Sequence, residues 1–179
     1  MGELLSLLHA DSASRAIARY TGQCFMESSE SLESMGTLAR LSRIGSLSPM
    51  PIIGHGIDIV ETHRIRRLCE EHGDRFLDRV FTERERQYCA ANPKRYYEHL
   101  AGRFAAKEAV LKVLGTGWRG GIAWTDVEIV KDLSGRPSVK LTGECERIAT
   151  ELGIVHWHVS LSHIETHATA SAIGLRGEK

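Results

Sequence analysis

The sequence predicts an α+β domain in which an antiparallel sheet packs against one long, largely buried helix. Residues 101–117, AGRFAAKEAVLKVLGTG, carry apolar side chains around most of a helical circumference. Segments of β-branched or alternating residues lie before and after this helix, and short turns join two pairs of them, as in antiparallel hairpins. Because helices and hairpins follow one another in runs, a doubly wound parallel sheet is not expected.

The composition is that of a globular protein with one core. The chain has 179 residues, of which 42% are hydrophobic and 26% charged. Its 23 basic and 23 acidic residues balance, so the bulk charge of a nucleic-acid binder is missing and we expect no nucleic-acid partner. No apolar run approaches the roughly 20 residues that span a bilayer, and no signal-peptide pattern is present. We therefore expect a cytoplasmic protein with no membrane partner.

The first 49 residues differ from the rest of the chain. They are rich in serine and lack strand patterns, as in a linker or a disordered segment. We expect residues 1–49 to be a disordered or mis-annotated N-terminal extension, with Met50 as the start of a domain over 50–179.

The first half of this domain predicts a buried strand and three helices. The strand covers 51–60, and the helices cover 61–73, 82–91 and 101–117. The motif TERE supplies a capping box, with Thr82 as the N-cap and Glu85 three residues later. Gly73 and Pro93 end the first two helices, and glycines end the third.

The second half predicts a hairpin, a short helix and a second hairpin. The elements are strands over 123–132 and 137–141, a helix over 143–152, and strands over 154–163 and 168–175. The turns are LSGR at 133–136 and the segment 165–167.

The apolar helix over 101–117 keeps four charges. Arg103 and Lys107 share one narrow sector of the helix, and Glu108 and Lys112 share another, each pair four residues apart. Since burying a charge is costly unless it is paired or binds an ion, each sector needs a partner.

Two acids stand in apolar surroundings on different elements. Asp58 lies within the first strand and Glu108 within the long helix. If they converge, they can bind one hard cation, because magnesium often takes one or two protein carboxylates and completes its shell with water and phosphate oxygens. The alternative is that each acid forms an ion pair with a nearby arginine or lysine.

Basic groups lie near the same helix end. Lys112 is one turn beyond Glu108 and precedes the glycine segment GTGWRGG, whose backbone amides can face a phosphate or can simply form a helix cap and a loop. His163, at the mouth of the second hairpin, is a candidate phosphate contact or proton carrier. His156 and His158 share one strand face, and His163 and His167 stand near the end of that strand, so a zinc site is a further alternative.

The ordered set of motifs GHGIDIVET, RFLDRVFTERE, AGRFAAKEAVLKVLGTG, SGRP and VSLSH closely resembles the holo-[acyl-carrier-protein] synthase family, the small trimeric 4'-phosphopantetheinyl transferases. The resemblance covers roughly residues 52–175. It implies the fold of that family, a homotrimer with active sites between subunits, and a reaction. In that reaction coenzyme A donates its 4'-phosphopantetheine arm to a serine of apo acyl carrier protein, and adenosine 3',5'-bisphosphate leaves.

The resemblance also implies roles for individual residues. Asp58 and Glu108 match the magnesium ligands, Lys112 a phosphate-binding lysine, and His163 a contact at the phosphate end of coenzyme A; these four form the catalytic set. Glu108, or a water held by the ion, is the implied acceptor of the serine proton. The positions implied to line the coenzyme groove are Phe104, Gly115 and Pro137.

A basic face follows the first strand. It is formed by arginines 64, 67, 75 and 79, on the first helix and the turn that is expected to follow it, and such a face is usually just solvated. The resemblance implies that it docks the acidic carrier protein, through Arg64, Arg75, Phe76 and Arg79. Two other functions stay open from the residues alone: a metal-dependent pyrophosphate hydrolase, and a non-catalytic module that binds the carrier protein.

Overall fold

The computed structural model of the chain describes residues 52–117, 121–132 and 134–177. The extension predicted over residues 1–49 lies outside this part of the chain and stays a prediction. The predicted turn at 133–136 is described except for its first residue. Asp132 organises it, since its carboxylate accepts hydrogen bonds from the backbone amides of Ser134 and Arg136.

Within these ranges the chain forms five strands and five α-helices. The strands are β1 (Ile52–Glu61), β2 (Val127–Lys131), β3 (Pro137–Leu141), β4 (Ile154–His163) and β5 (His167–Arg176). The helices are α1 (Thr62–His72), α2 (Asp74–Val80), α3 (Glu83–Ala90), α4 (Tyr96–Leu114) and α5 (Gly143–Leu152). None of these helices is long and apolar enough to cross a membrane.

The strands form two antiparallel sheets. The larger has the order β1-β5-β4, so the last strand of the chain lies in the middle, and β2 pairs with β3 in a separate hairpin. Helix α4 packs on one face of the three-stranded sheet, where β5 presents Ala168, Ala170 and Ala172, all buried. This arrangement confirms the predicted α+β fold with an antiparallel sheet and a long buried helix.

Helix α4 is the centre of the core. Most of its residues from Leu100 onward are buried, as the apolar circumference predicts. It begins at Tyr96, earlier than the segment that predicted it, and it ends at Leu114 because Gly115 adopts the left-handed conformation with φ of 73°. The predicted capping box on α3 is confirmed: Thr82 Oγ1 accepts from Glu85 N, and Glu85 Oε2 accepts from Thr82 N.

One of the two charged sectors of α4 is structural. Lys107 is fully buried, and its Nζ donates to Glu85 Oε2 at 2.8 Å and to the carbonyl oxygens of Trp124 and Val127. The other oxygen of Glu85 accepts from the backbone amide of Ile129 at 3.0 Å. Since three acceptors match the three hydrogens of an ammonium group, this buried lysine is fully satisfied. It joins α3, α4 and the start of β2.

The other member of that sector is also internal. Arg103 is buried, and its guanidinium carbon lies 3.8 Å from the centre of the Tyr88 ring on α3. Two of the four charges in this apolar helix, Lys107 and Arg103, are therefore structural, because they hold neighbouring elements against the helix.

Three local predictions were wrong. Strand β1 is not buried on both faces, because α4 covers only one of them; Ile57 and Ile59, on the other face, are 60% and 67% exposed. Strand β2 begins at Val127 rather than 123, because residues 124–126 form a 3₁₀ turn in which Asp126 accepts from the Ala123 amide. The segment after α1 is not a turn but the short helix α2.

We expect Lys107→Met to lower the free energy of unfolding by about 3 to 5 kcal/mol, because it leaves the buried Glu85 carboxylate without its counter-ion. Urea denaturation of the full-length chain measures the change. Lys140→Met, at an exposed position on β3, is the matched control and should change little. A loss below 1 kcal/mol for Lys107→Met would contradict the structural role of the pair.

Candidate active site

The site is made possible by a close approach between α4 and β1. A Cβ atom added at Gly56 would lie 2.0 Å from the carbonyl oxygen of Ala109 and 2.9 Å from the Cβ of Lys112. Only glycine therefore fits at this crossing. Because the backbones nearly touch there, side chains from the next turn of α4 reach the strand residues next to Gly56.

Asp58 and Lys112 meet beside this crossing. Lys112 Nζ donates to Asp58 Oδ1 at 2.9 Å and to the carbonyl oxygen of Ile57 at 2.7 Å. The Asp58 side chain is only 18% exposed, and its burial raises its pKa, although the hydrogen bond and charge of Lys112 oppose that rise. For Asp58 the structure thus contains the ion pair that the sequence left as an alternative.

Glu108 lies on α4 near the same pair. Burial and, second, the charge of Asp58 raise the pKa of Glu108 to about 7, against the opposing charges of Lys112 and Arg64. None of the salt bridges in the described part of the chain involves Glu108. Two half-buried carboxylates that repel each other across one crossing are therefore the main electrostatic feature of this site.

The donor set at the crossing fits magnesium. It offers carboxylate oxygens from two separate elements, and their mutual repulsion is what a divalent cation between them would relieve. Among the described residues no group of three or more histidine, cysteine and acidic side chains comes together to hold a metal. A magnesium site of two carboxylates does not require such a group, whereas the zinc alternative at His156 and His158 does.

His163 belongs to a different cluster. Its Nδ1 lies 3.2 Å from Glu98 Oε2 and 3.0 Å from Arg95 Nη2, at the point where α4 begins. The ring of His99 packs edge-on against it, with centroids 5.4 Å apart. Within one chain the structure therefore brings Asp58, Glu108 and Lys112 together. Among the described residues, no hydrogen bond or ion pair joins His163 to any of the three.

The three predicted groove residues are also in different places. Phe104 is buried and stacks on Trp124, with ring centroids 4.9 Å apart, so in one chain its ring faces the core rather than an open groove. Gly115 is the exposed cap of α4. Pro137 opens β3 and lines a cavity of about 640 Å³ between the β2–β3 hairpin and the outer strand β4.

The predicted docking face needs one correction. Arg75 and Arg79 are exposed on α2, and Arg64 on α1 is partly buried, with its charge lowering the pKa of both Asp58 and Glu108. Phe76, in contrast, is 0% exposed and packs edge-on against Phe81. Its ring lies in the core beneath α2, as is typical of an apolar side chain on the inner face of a short helix, and its part in docking stays a prediction.

Three contributors at or near these clusters were missed from the sequence. Gly56 was quoted only as part of a motif, although an isolated glycine in a strand indicates close backbone approach. Arg95 and Glu98 are three residues apart at the start of α4, a spacing that signals a side-chain pair on a helix. The spacing gave no sign that His163 would join them, because 65 residues separate it from Glu98.

Comparison with known proteins defines the class. Residues 54–172 match the family model of the 4'-phosphopantetheinyl transferase superfamily, and the chain belongs to this family. Among curated proteins it is similar to the holo-[acyl-carrier-protein] synthase of Koribacter versatilis, with 45% identity over 122 residues, 68% of this chain and 97% of the relative. The resemblance inferred from the sequence motifs is confirmed.

Solved structures agree. The holo-[acyl-carrier-protein] synthase of Neisseria meningitidis superposes with a TM-score of 0.64 and 34% identity, over 70% of this chain and 99% of that one. The enzyme of Bacillus anthracis, solved in complex with CoA (3',5'-ADP), gives a TM-score of 0.58 and 32% identity, over 70% and 98%. The fold that the resemblance implied is confirmed as well.

We expect Gly56→Ala to destabilise the domain by about 2 kcal/mol or more, because the new methyl group would force α4 away from β1. Thermal and urea unfolding measure the effect. Gly102→Ala is a suitable control, since a Cβ there meets its nearest atom at an ordinary 3.5 Å and glycine is a poor helix former. If both variants unfold like the wild type, the backbone approach is not the constraint we describe.

Proposed function

We propose that the chain transfers the 4'-phosphopantetheine group of coenzyme A to a serine hydroxyl of apo acyl carrier protein, with magnesium held by Asp58 and Glu108. The observation that carries the proposal is the convergence of these carboxylates with Lys112 where α4 crosses β1. Similarity to holo-[acyl-carrier-protein] synthases, one of them solved with CoA (3',5'-ADP), supports the substrate class.

The residues at the crossing divide the work. A magnesium ion bound by Asp58 and Glu108 would neutralise the charge that develops on the pyrophosphate. Lys112 donates two of its three N–H groups to Asp58 and the Ile57 carbonyl, and the third can donate to a phosphate oxygen. The side chain of Lys112 is exposed, so its ammonium group is open to a ligand from solvent.

The reaction is a displacement at phosphorus. The serine oxygen forms a bond to the phosphorus that carries the pantetheine, and the bond from that phosphorus to the bridging oxygen breaks. The electron pair leaves with adenosine 3',5'-bisphosphate, and the serine proton passes to Glu108. Of the two carboxylates, Glu108 is the one that forms no ion pair with Lys112, so an oxygen of Glu108 is available to accept this proton.

The working assembly in this proposal is a homotrimer with sites between subunits. Two exposed isoleucines, Ile57 and Ile59, lie on the face of β1 that α4 leaves uncovered, and large apolar side chains in a row favour burial against another chain. A neighbouring subunit would also bring a second set of His163 and Pro137 to the carboxylates. The groove for coenzyme A, with Phe104 and Gly115 near its walls, is then completed by two chains.

In this proposal the carrier protein docks on arginines of α1 and α2. Arg75 and Arg79 stand on α2 and Arg64 on α1, close to the acids of the site. An acidic helical carrier placed there would present its serine toward Glu108. Local charge complementarity steers such an encounter even though the chain as a whole is neutral.

Intact-mass spectrometry tests the reaction directly. Apo acyl carrier protein incubated with the full-length chain, coenzyme A and magnesium should gain one phosphopantetheine, and a chelator should prevent the gain. Glu108→Gln should lower the rate at least about a hundredfold with an unchanged unfolding curve, since it removes a charge that the transition state needs. Glu146→Gln, an exposed acid on α5, is the control and should transfer normally.

Other results would point to other functions. Loss of coenzyme A without any gain on the carrier would indicate a pyrophosphate hydrolase. Binding of the carrier without transfer, unchanged in Glu108→Gln, would indicate a non-catalytic module. Normal transfer by Glu108→Gln would remove that residue from the metal site.

The docking face makes a separate prediction. Arg75→Glu should raise KM for apo acyl carrier protein about tenfold and leave KM for coenzyme A unchanged, because it reverses a charge that faces only the protein substrate. The same reversal at the exposed Lys140 on β3 controls for net charge. Equal effects of the two variants would show that the chain responds to overall charge and not to a docking surface.

A further inference from the structure

A compact polar cluster lies where β4 ends and α4 begins. The Oε2 atom of Glu98 lies 3.2 Å from Nδ1 of His163 and 2.9 Å from Nε of Arg95. Arg95 Nη2 is in turn 3.0 Å from the same histidine nitrogen. Two groups of opposite charge, Glu98 and Arg95, therefore compete for one ring nitrogen, and the outcome decides where His163 carries its proton.

The chemistry of the three groups favours the carboxylate. Arginine can only donate, an ionised glutamate can only accept, and Nδ1 of histidine can do either. If Nδ1 accepted from Arg95, its lone pair would face the carboxylate oxygen of Glu98. If Nδ1 carries the proton, it donates to that oxygen, while Arg95 keeps its own bond to Glu98 through Nε.

Exposure favours the same arrangement. The side chains of Glu98 and His163 are each only 16% exposed, whereas Arg95 is 48% exposed. An interaction between two largely buried groups is screened less by water than one with an exposed arginine. The hydrogen bond from Arg95 also lowers the pKa of Glu98, so the glutamate stays ionised behind the ring.

The other ring nitrogen is left for a ligand. In the described part of the chain Nε2 of His163 makes no hydrogen bond. The ring is held from the side by His99, which itself packs against Tyr88 with centroids 5.4 Å apart. A carboxylate on one nitrogen of an imidazole fixes both the tautomer and the direction of the other nitrogen.

We propose that Glu98 is a positioning residue, which accepts a hydrogen bond from Nδ1–H of His163 and so orients Nε2, as a donor when that nitrogen is also protonated, toward a phosphate of coenzyme A. The inference rests on the proposed function, because it assigns the ligand of Nε2 from that reaction. When the ring carries both protons, Nε2–H donates to the phosphate and Glu98 balances the charge. Glu98 itself does not touch the substrate.

Kinetics of the full-length chain test the positioning role. Glu98→Ala should raise KM for coenzyme A about tenfold or more, with kcat and KM for the carrier protein within about twofold of wild type. Glu98→Gln keeps an acceptor without the charge and should lie between the two. Glu146→Gln serves again as the control. In a His163→Ala background, Glu98→Ala should have no further effect, since the two residues act as one unit.

Nitrogen-15 NMR of the histidine side chains tests the orientation without any need for transfer. At alkaline pH the His163 signals, identified by their loss in His163→Ala, should be those of the Nδ1–H tautomer in the wild type. They should shift toward the Nε2–H tautomer in Glu98→Ala. An Nε2–H ring in the wild type would overturn the proposal and make Arg95 the partner of His163.

The two arms separate failure of the proposal from failure of the proposed function. If the wild type transfers phosphopantetheine but Glu98→Ala leaves KM for coenzyme A unchanged, the positioning role is wrong and the function stands. If the wild type does not transfer at all, the proposed function and the phosphate ligand of Nε2 are both wrong, and the NMR arm alone decides the proton position.

Discussion

The close approach of α4 to the three-stranded sheet is the constraint on which the other features depend. Many of the positions that face the helix carry glycine or alanine: Gly54, Gly56 and Gly174, with three alanines on β5. A methyl group at Gly56 would overlap a helix carbonyl, so the separation is set by backbone atoms rather than by side-chain packing. Asp58 and Lys112 meet at 2.9 Å because glycine at this crossing lets the elements that carry them come so close.

The charges of α4 serve two purposes on opposite sides of the same helix. Lys107 and Arg103 face inward and fasten α3 and the start of β2 to the core. Glu108 and Lys112 face β1 and stay accessible to a ligand. Beyond its first turn, this largely apolar helix thus keeps four charges, because half of them bind other parts of the chain and half of them form the candidate site. Rigid packing of the first pair keeps the second pair in place.

The sequence predicts those features that depend on local patterns. The capping box at Thr82 and Glu85, the glycine cap of α4 and the helix over 143–152 follow from short-range rules, and the structure has them where expected.

Features that depend on contacts between residues far apart in the sequence cannot be predicted from such rules. Nothing near Lys107 indicates Glu85 as its partner, and nothing near Phe76 shows that its ring points inward. The exposure of Ile57 likewise depends on which face of β1 the helix covers. A run of β-branched residues does not indicate which face that is. The family motifs predicted more of the candidate site than hydrophobic periodicity did, because each motif specifies the chemical type of residue at a few positions.

The position of β5 in the middle of the sheet has a consequence for how the domain folds during synthesis. The strand nearest the C-terminus of the domain lies between β1 and β4, so neither outer strand has its neighbour until His167–Arg176 has left the ribosome. Pairs such as Ile52 with Leu175 join the two ends of the domain, and contacts so far apart in sequence form slowly. The nascent chain therefore emerges with a long helix whose apolar side has no sheet to cover, and its folding is a late, single event rather than a gradual one.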